Sequence, residues 1–269
     1  MKVATEPAFM SEDFLNEQRV RLNYQPVINF LRHDVFSLEA LFHWPQLAEK
    51  HISNETFVTE IERRPDLALS LDSYVITMAA NDWHRLRTEQ GFKGRMSVNV
   101  SPSSLQNAAF IEHVKGLIMF GSEQGAPPID ADRLVLEITE RQPWGNPDRI
   151  WRHLHELVAL GVNVAVDDFM SGYANFNAVL NDVVSVMKLD KSIADRARTD
   201  INVRTFVEQF ATLARTLNKE VIVQGIEEYE QAAWFSEMGY NLFQGYFFAA
   251  PTDFDGIVRY LKAQRIYRR

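Results

Sequence analysis

Short apolar runs alternate with longer amphipathic segments along most of the chain. Eight runs that are rich in β-branched and aromatic residues, and bounded by turn or polar residues, predict strands. These runs cover residues 22–29, 35–44, 95–101, 133–140, 162–169, 184–191, 220–227 and 241–248. Helical periodicity fills the gaps, most clearly over residues 70–90, 148–160, 193–217, 228–238 and 253–264. Eight strands alternating with helices predict an α/β fold, a TIM-like (β/α)8 barrel.

The first two predicted strands are joined only by residues 30–34. This connection is too short for a crossover helix between parallel strands, which needs a dozen or more residues. We therefore expect an antiparallel hairpin there, and a barrel whose first strand runs against the others. Residues 1–18 are predicted to be an N-terminal helical lead-in, and residues 19–269 the barrel domain.

Acidic and amide residues interrupt the C-terminal halves of most predicted strands, where a strand buried on both faces would be apolar. A single such residue is usually a cap or a solvated rim residue, but here they recur on successive strands. A barrel places its active site at the C-terminal ends of its parallel strands, so these side chains should converge. The acidic and amide residues are Glu39, Asn99, Glu137, Glu140, Asp167, Asp168, Asp190, Gln224, Glu227 and Gln244, and Lys188 joins them on the sixth predicted strand.

Carboxylates that converge at one place repel one another, and a divalent cation offsets that repulsion. Carboxylate and amide oxygens are hard ligands, which favour Mg²⁺, Mn²⁺ or Ca²⁺ over an ion that prefers soft ligands. The adjacent Asp167 and Asp168 suit a pair of ions, as in two-metal phosphoryl transfer. Lys188 would offset charge and hold a water molecule or a phosphate oxygen.

Composition narrows the class of protein. The 269 residues include 28 Lys and Arg against 36 Asp and Glu, a net charge of −8, which argues against nucleic-acid polymers and anionic membranes as partners. The absence of cysteine excludes disulfides, thiol catalysis and cysteine-based zinc sites. Residues 1–10 lack a signal-peptide pattern, and no run approaches the roughly 20 apolar residues of a membrane-spanning helix. We expect a cytoplasmic protein.

The chain resembles the EAL domain family of cyclic di-GMP phosphodiesterases, over roughly residues 15–262. The motifs that carry the resemblance are YQPVIN at 24–29, LEAL at 38–41, SVNVS at 97–101, LEITE at 136–140, VDDF at 166–169, MKLDKS at 187–192, VIVQGIE at 221–227 and QGYFFAAP at 244–251. The resemblance implies a barrel with one antiparallel strand and a place in bacterial signalling that regulates biofilm formation or motility. It also implies hydrolysis of one phosphodiester bond of cyclic di-GMP to give pGpG, with Mg²⁺ or Mn²⁺.

The resemblance also assigns roles to single residues. The family's metal ligands would fall on Glu39, Asn99, Glu137, Asp167 and Asp168, and Lys188 matches the lysine that holds a catalytic water. Residues of the ligand pocket would be Gln25, Leu41, His43, Asp190 and Gln244, and Glu140 matches a glutamate that steadies the loop after strand five. Because family members pair through that loop region, we expect a homodimer that uses residues near 170–181.

Three positions depart from the family pattern. Gln224 stands where the family has a glutamate that is proposed as general base and metal contact, and an amide cannot accept a proton near pH 7. Met170 replaces a glycine in the loop after strand five. His43 replaces an arginine that meets a ligand phosphate, and histidine has a weaker, pH-dependent charge and no bidentate fork.

These departures favour a degenerate EAL domain with weak or no hydrolysis, which acts as a cyclic di-GMP receptor or a protein-binding regulator. The alternative is an active Mg²⁺- or Mn²⁺-dependent phosphodiesterase, since the five metal-ligand positions and Lys188 are intact. A third reading is a two-metal barrel hydrolase of another phosphoester. If Gln224 were an engineered replacement of glutamate, the natural protein would be active.

Overall fold

Eight strands close into one barrel in chain order. The computed structural model describes residues 20–49, 51–122, 125–139, 144–170 and 176–266, so the predicted lead-in over 1–18 and Glu140 lie outside the described residues. The strands are β1 (Arg21–Asn29), β2 (Asp34–His43), β3 (Arg95–Asn99), β4 (Leu134–Thr139), β5 (Asn163–Phe169), β6 (Val186–Leu189), β7 (Glu220–Val223) and β8 (Leu242–Phe243). The predicted (β/α)8 barrel is confirmed.

Helices connect the strands from β2 onward. They are α1 (Gln46–Glu49), α2 (Asn54–Glu62), α3 (Pro65–Gln90), α4 (Pro102–Leu105), α5 (Ala108–Met119), α6 (Pro147–Val158), α7 (Phe176–Leu180), α8 (Lys191–Ala197), α9 (Ile201–Thr216), α10 (Tyr229–Glu237) and α11 (Phe254–Ile266), with a 3-10 turn at Ala131–Arg133. Within the described ranges, none of the helices combines the length and the apolar character needed to cross a membrane.

Strand β1 runs antiparallel to both of its neighbours, β2 and β8, whereas the other neighbouring strands pair in parallel. The prediction of a hairpin from the short connection is therefore confirmed. The reversal has a geometric consequence for the site. The N-terminal end of β1 lies at the same end of the barrel as the C-terminal ends of the other strands, and we call this end the mouth.

The barrel interior opposite the mouth is filled by a layer of aliphatic side chains. Its members are Val27, Val135, Ala165, Val186, Ile222 and Leu242. Side chains alternate between the two faces of a strand, so Lys188 on β6 shares the inward face with Val186, one step closer to the mouth. A polar layer thus begins directly above an apolar floor.

The helical pattern over 193–217 forms two helices rather than the single one predicted. Helix α8 ends at Ala197 and α9 begins at Ile201, because Asp200 caps α9 and accepts hydrogen bonds from the backbone N–H groups of Asn202 and Val203. The side-chain oxygen of Asp200 satisfies N–H groups that have no partner within the helix, which fixes a helix start at that position.

The strand predicted over residues 241–248 is shorter in the structure and does not include the aromatic residues at 246–248. Strand β8 ends at Phe243, and the side chains of Tyr246 and Phe247 are 69% and 41% exposed. The chain turns after β8, where the N–H of Phe248 donates to the carbonyl of Gly245 at 3.1 Å. The side chains of Tyr246 and Phe247 therefore lie at the surface, whereas Phe248 packs against the core.

Candidate active site

Lys188 is fully buried and lies among three carboxylates at the mouth of the barrel. Its Nζ is 3.0 Å from Glu39 Oε2, 2.5 Å from Glu137 Oε2 and 3.1 Å from Asp167 Oδ1. One oxygen from each of the three carboxylates lies within 4.8 Å of the other two. These side chains come from β2, β4, β5 and β6, so the structure brings together four of the polar strand residues noted in the sequence.

Three amide side chains complete this cluster by donating to its carboxylates. Asn99 Nδ2 donates to Glu39 Oε1 at 2.9 Å, and Gln244 Nε2 donates to Glu39 Oε2 at 2.7 Å. Gln224 Nε2 donates to Asp167 Oδ1 at 3.0 Å. In the cluster, one ammonium group and three amide groups therefore donate hydrogen bonds or lie close to three carboxylates.

Three groups of the cluster have shifted pKa values. Burial and the neighbouring charge of Glu39 raise the pKa of Glu137 to about 8, although Lys188 opposes the rise. Burial also pushes the pKa of Glu39 upward, but the charge of Lys188 and the hydrogen bond from Gln244 outweigh it and the net shift is downward. Burial alone would lower the pKa of Lys188, yet the surrounding carboxylates hold it well above its usual value. The ammonium form is thus the stable one.

The donor atoms of the cluster fit a hard divalent cation. Besides the three carboxylates, the amide oxygens of Gln224 and Gln244 are buried and accept no hydrogen bond from any described residue. A buried acceptor without a partner costs about 1–3 kcal/mol, so these oxygens favour a bound cation or water. Oxygen ligands of this kind suit Mg²⁺, Mn²⁺ or Ca²⁺.

The backbone at the end of β5 has an unusual conformation. Asp168 and Met170 have φ values of +52° and +72°, and the pairing of β5 with β6 shifts its register between Val166 and Phe169. Met170 therefore adopts a left-handed conformation, which glycine reaches without the steric cost of a Cβ. The loop that follows, residues 171–175, lies outside the described residues.

A cleft of about 350 Å³ opens above the cluster, and we call it the mouth cleft. Gln25, Leu41 and Gln244, three residues assigned to the ligand pocket by resemblance, line it together with Glu39 and Gln224. The remaining lining residues are Lys191, Gly225, Glu227, Gly245 and Tyr246. Gln25 is fixed in place, because its Nε2 donates to the carbonyl of Ala249 at 3.1 Å and its Oε1 accepts from Gln244 at 3.2 Å.

Two residues that the resemblance assigned to the ligand pocket lie elsewhere. Asp190 is not among the lining residues of the mouth cleft. It caps helix α8, and its Oδ1 accepts from the backbone N–H of Ser192 at 2.9 Å. His43 lines a second cleft of about 620 Å³, next to the mouth cleft. We call this space the upper cleft.

Arg21 and Asn23 of β1 also line the upper cleft, and the sequence interpretation did not identify them. A signal for them is present in the chain. Arg21, Asn23 and Gln25 alternate with buried Leu22 and Tyr24. This period of two places the three polar residues on one face of the strand.

Two named relatives are similar in sequence to this chain over nearly its whole length. PdeN of Escherichia coli strain K12, a probable cyclic di-GMP phosphodiesterase, is 26% identical over 264 residues, which cover 97% of this chain and 49% of PdeN. The chain thus spans about half the length of PdeN, and 33% of the length of NbdA from Pseudomonas aeruginosa, a cyclic di-GMP phosphodiesterase.

Solved structures share the fold. The EAL enzyme Bd1971, in a form with cAMP and cyclic di-GMP bound, superposes with a TM-score of 0.82 at 23% identity and covers 93% of this chain and 66% of its own. Klebsiella pneumoniae BlrP1, in a complex with manganese and cyclic di-GMP, gives a TM-score of 0.71 at 23% identity, over 87% of this chain and 56% of its own. The sequence pattern of the EAL domain matches residues 10–251. The chain belongs to the EAL domain family.

Proposed function

We propose that this chain is a degenerate EAL domain that binds cyclic di-GMP and hydrolyses it weakly or not at all. It acts as a cyclic di-GMP receptor or as a protein-binding regulator in the cytoplasm. The proposal rests on one observation, the presence of Gln224 at the edge of the carboxylate cluster. Its side-chain amide donates a hydrogen bond to Asp167, where a glutamate would present an anionic oxygen.

Gln224 changes the chemistry of the site in two ways. An amide has no basic group near pH 7, so it cannot take a proton from an attacking water, and loss of a general base typically costs about 10²–10⁴-fold in rate. In addition, its N–H group occupies a lone pair of Asp167 Oδ1 that would otherwise be available to a cation. Binding and turnover are therefore affected differently.

The proposed metal ligands are Glu39, Asn99, Glu137, Asp167 and Asp168. A divalent ion held there would polarise a phosphoryl oxygen and acidify a bound water. The complex of BlrP1 with manganese and cyclic di-GMP supports a divalent ion at such a site. With Gln224 as a neutral neighbour, the site lacks one further carboxylate that would favour a second ion.

Lys188 has a role that does not depend on turnover. It neutralises part of the carboxylate charge, and its short contact with Glu137 Oε2, 2.5 Å, orients that carboxylate. The mouth cleft of about 350 Å³ above it is within the usual range for small-molecule sites. Gln25 and Gln244, which are linked by a hydrogen bond, line its wall and would orient a bound nucleotide.

The second candidate function is an active Mg²⁺- or Mn²⁺-dependent phosphodiesterase that produces pGpG. The observation that favours it is the cluster itself. The three carboxylates lie within hydrogen-bonding distance of Lys188 Nζ. In addition, PdeN and NbdA, which match 97% of this chain, are named as phosphodiesterases. The two functions differ only in turnover, so one assay separates them.

The test is a calorimetric titration of the protein with cyclic di-GMP in Mg²⁺, followed by chromatography of the same sample for pGpG. We expect a saturable heat of binding and little or no pGpG. Rapid formation of pGpG would establish the second candidate instead. Absence of binding would exclude the cyclic di-GMP receptor and the phosphodiesterase, and it would leave a protein-binding regulator or a site for another phosphoester to be screened.

A further inference from the structure

Asn54, the first residue of α2, connects that helix to the end of β2 through its side-chain amide. The backbone N–H of Trp44 donates to Asn54 Oδ1 at 3.0 Å, and Asn54 Nδ2 lies 3.1 Å from His43 Nδ1. Both ends of the amide are therefore engaged, and the group cannot turn over without losing both contacts. Asn54 itself lines neither the mouth cleft nor the upper cleft.

These two hydrogen bonds determine where the ring of His43 carries its proton. A backbone N–H can only donate, so the atom of Asn54 that faces Trp44 is the amide oxygen. The atom that faces His43 is then the amide nitrogen, which donates to Nδ1. A ring nitrogen that accepts a hydrogen bond carries no proton, so the neutral ring of His43 has its proton on Nε2.

Aromatic packing fixes the position of Asn54. Phe57 is buried, its ring stacks on that of Phe42 with centroids 5.4 Å apart, and it meets the ring of Trp44 edge-on at 5.3 Å. Because Asn54 and Phe57 are three residues apart on α2, they lie on the same face of the helix. The contacts of Phe57 therefore hold the amide of Asn54 against His43.

Nε2 of His43 is the available donor of this arrangement. It has no hydrogen-bond partner among the described residues, and His43 lines the upper cleft. Arg21, which is paired with His43 in the β1–β2 register, lines the same cleft, and side chains of directly paired residues lie on one face. Asp253 is the acidic residue of this cleft, and its Oδ1 accepts from the N–H of Gly256 at 2.8 Å.

We propose that Asn54 is a positioning residue that holds His43 so that Nε2–H donates to a phosphate oxygen of cyclic di-GMP, an inference that rests on the proposed function. A phosphate oxygen only accepts hydrogen bonds, so the opposite tautomer of His43 would present a lone pair and repel it. An arginine at position 43 would need no such partner, because every nitrogen of its guanidinium group donates.

The test is a double-mutant cycle on the affinity for cyclic di-GMP, measured by calorimetry in Mg²⁺. Asn54→Leu removes both hydrogen bonds of the amide, and it is made in the unmodified chain and in His43→Arg. The matched control is Ser53→Ala. It removes the N-cap of the same helix, where Ser53 Oγ accepts from the N–H of Thr56 at 3.0 Å, but leaves the contact with His43 in place. Circular dichroism verifies the fold of each variant.

A second measurement reads the ring directly in the unmodified chain. Long-range ¹H–¹⁵N NMR distinguishes a protonated ring nitrogen from an unprotonated one, and the signals of His43 are those that disappear in His43→Arg. At about pH 8, where an ordinary imidazole is neutral, we expect the proton on Nε2. A proton on Nδ1 would overturn the inference before any ligand is added.

We expect Asn54→Leu to weaken cyclic di-GMP binding by about three- to tenfold when residue 43 is histidine, which is the effect of about one hydrogen bond. In the His43→Arg background the same change should alter the affinity by less than about twofold, and so should Ser53→Ala alone. Equal losses in both backgrounds would make the role of Asn54 purely structural and overturn the inference. So would unchanged affinity in both.

The outcomes also separate this inference from the proposed function. If the unmodified chain does not bind cyclic di-GMP, the proposed receptor function fails, and the role of Asn54 fails with it. If the chain binds cyclic di-GMP and its affinity does not depend on Asn54, only the inference about Asn54 fails.

Discussion

At the scale of single residues, the site depends on the balance of charge around Lys188. Three carboxylates surround one buried ammonium, and burying charges is tolerable only when each has partners. The amides of Asn99, Gln224 and Gln244 supply the further donors. The same groups therefore hold the fold together and form the candidate active site.

Replacing Lys188 with methionine, which has a similar volume, should destabilise the metal-free protein by about 3–5 kcal/mol, because it leaves buried carboxylates without their counter-charge. The measurement is urea-induced unfolding in EDTA. Added Mg²⁺ should restore part of the loss.

The matched control is Lys191→Met. Lys191 pairs with Glu227 at the rim, and both side chains are about half exposed, so its loss should change stability by less than about 1 kcal/mol. Similar losses for the two lysine variants would contradict the account of Lys188.

The sequence predicted which strands would carry polar residues toward the mouth, because the C-terminal ends of parallel strands meet at one edge. It could not predict what Gln224 does there. Whether its amide contacts Asp167 depends on side-chain placement across the intervening strand β6. Asp190 illustrates the same limit, because a residue at the end of a strand can equally cap the next helix, as it does for α8.

At the scale of elements, strand length and helix boundaries were the least predictable features. Strand β8 is two residues long, because the chain turns at Gly245 immediately afterwards. The register of the β1–β2 hairpin shifts between Val27 and Ile28, and such a shift has no clear signal in the sequence. This register pairs Arg21 with His43, so the upper cleft could not be predicted from the chain.

Two glycine-to-alanine changes should have opposite effects on stability. A Cβ at Gly245 would overlap the backbone of Ile226, so Gly245→Ala should destabilise the protein by about 1–3 kcal/mol or more. A Cβ at Gly116, within helix α5, would meet no atom within 4 Å, and Gly116→Ala should stabilise by about 0.5–1 kcal/mol. Thermal unfolding of both variants measures this, and a change of the same sign in both would contradict the packing described.

Helix α3 is linked to the turn after β3 by a buried carboxylate. Asp72 Oδ2 accepts from the N–H of Ser101 at 2.9 Å and from its hydroxyl at 2.7 Å. Burial raises the pKa of Asp72, and the hydrogen bonds from Ser101 only partly oppose the rise. The folded protein therefore binds this proton more tightly than the unfolded chain does.

The contribution of Asp72 to stability is consequently greatest below about pH 4, the ordinary pKa of aspartate, and is lost as the pH rises through the raised pKa. The free energy of unfolding of Asp72→Asn should thus improve relative to the unmodified protein between pH 4 and pH 7. The slope is at most about 1.4 kcal/mol per pH unit. Urea unfolding at both pH values tests this, and parallel pH profiles would contradict it.

At the scale of the whole molecule, two clefts share one face of the β1–β2 hairpin, and together they suit a ligand longer than a mononucleotide. The reversed first strand makes this possible, because it carries Arg21, Asn23 and Gln25 toward the mouth. A parallel first strand would have directed its N-terminal residues to the opposite end of the barrel.

We also predict a homodimer through residues near 170–181, of which residues 171–175 lie outside the described residues. Leu180 of helix α7 is 70% exposed, which suits an apolar contact with a second copy. Sedimentation velocity at high micromolar concentration should give a dimeric mass, and Leu180→Asp should shift it toward the monomer. A monomeric mass for the unmodified protein would contradict the prediction.

The central claim is that Gln224 separates binding from turnover, and the direct test is the rate of pGpG formation by the unmodified protein and by Gln224→Glu, measured side by side in Mg²⁺. Glutamate has the shape of glutamine, so the fold and the mouth cleft should persist. We predict that Gln224→Glu is faster by at least about a hundredfold, the lower end of the effect of a general base. Equal rates would contradict the account, because the amide at Gln224 would then have no catalytic consequence.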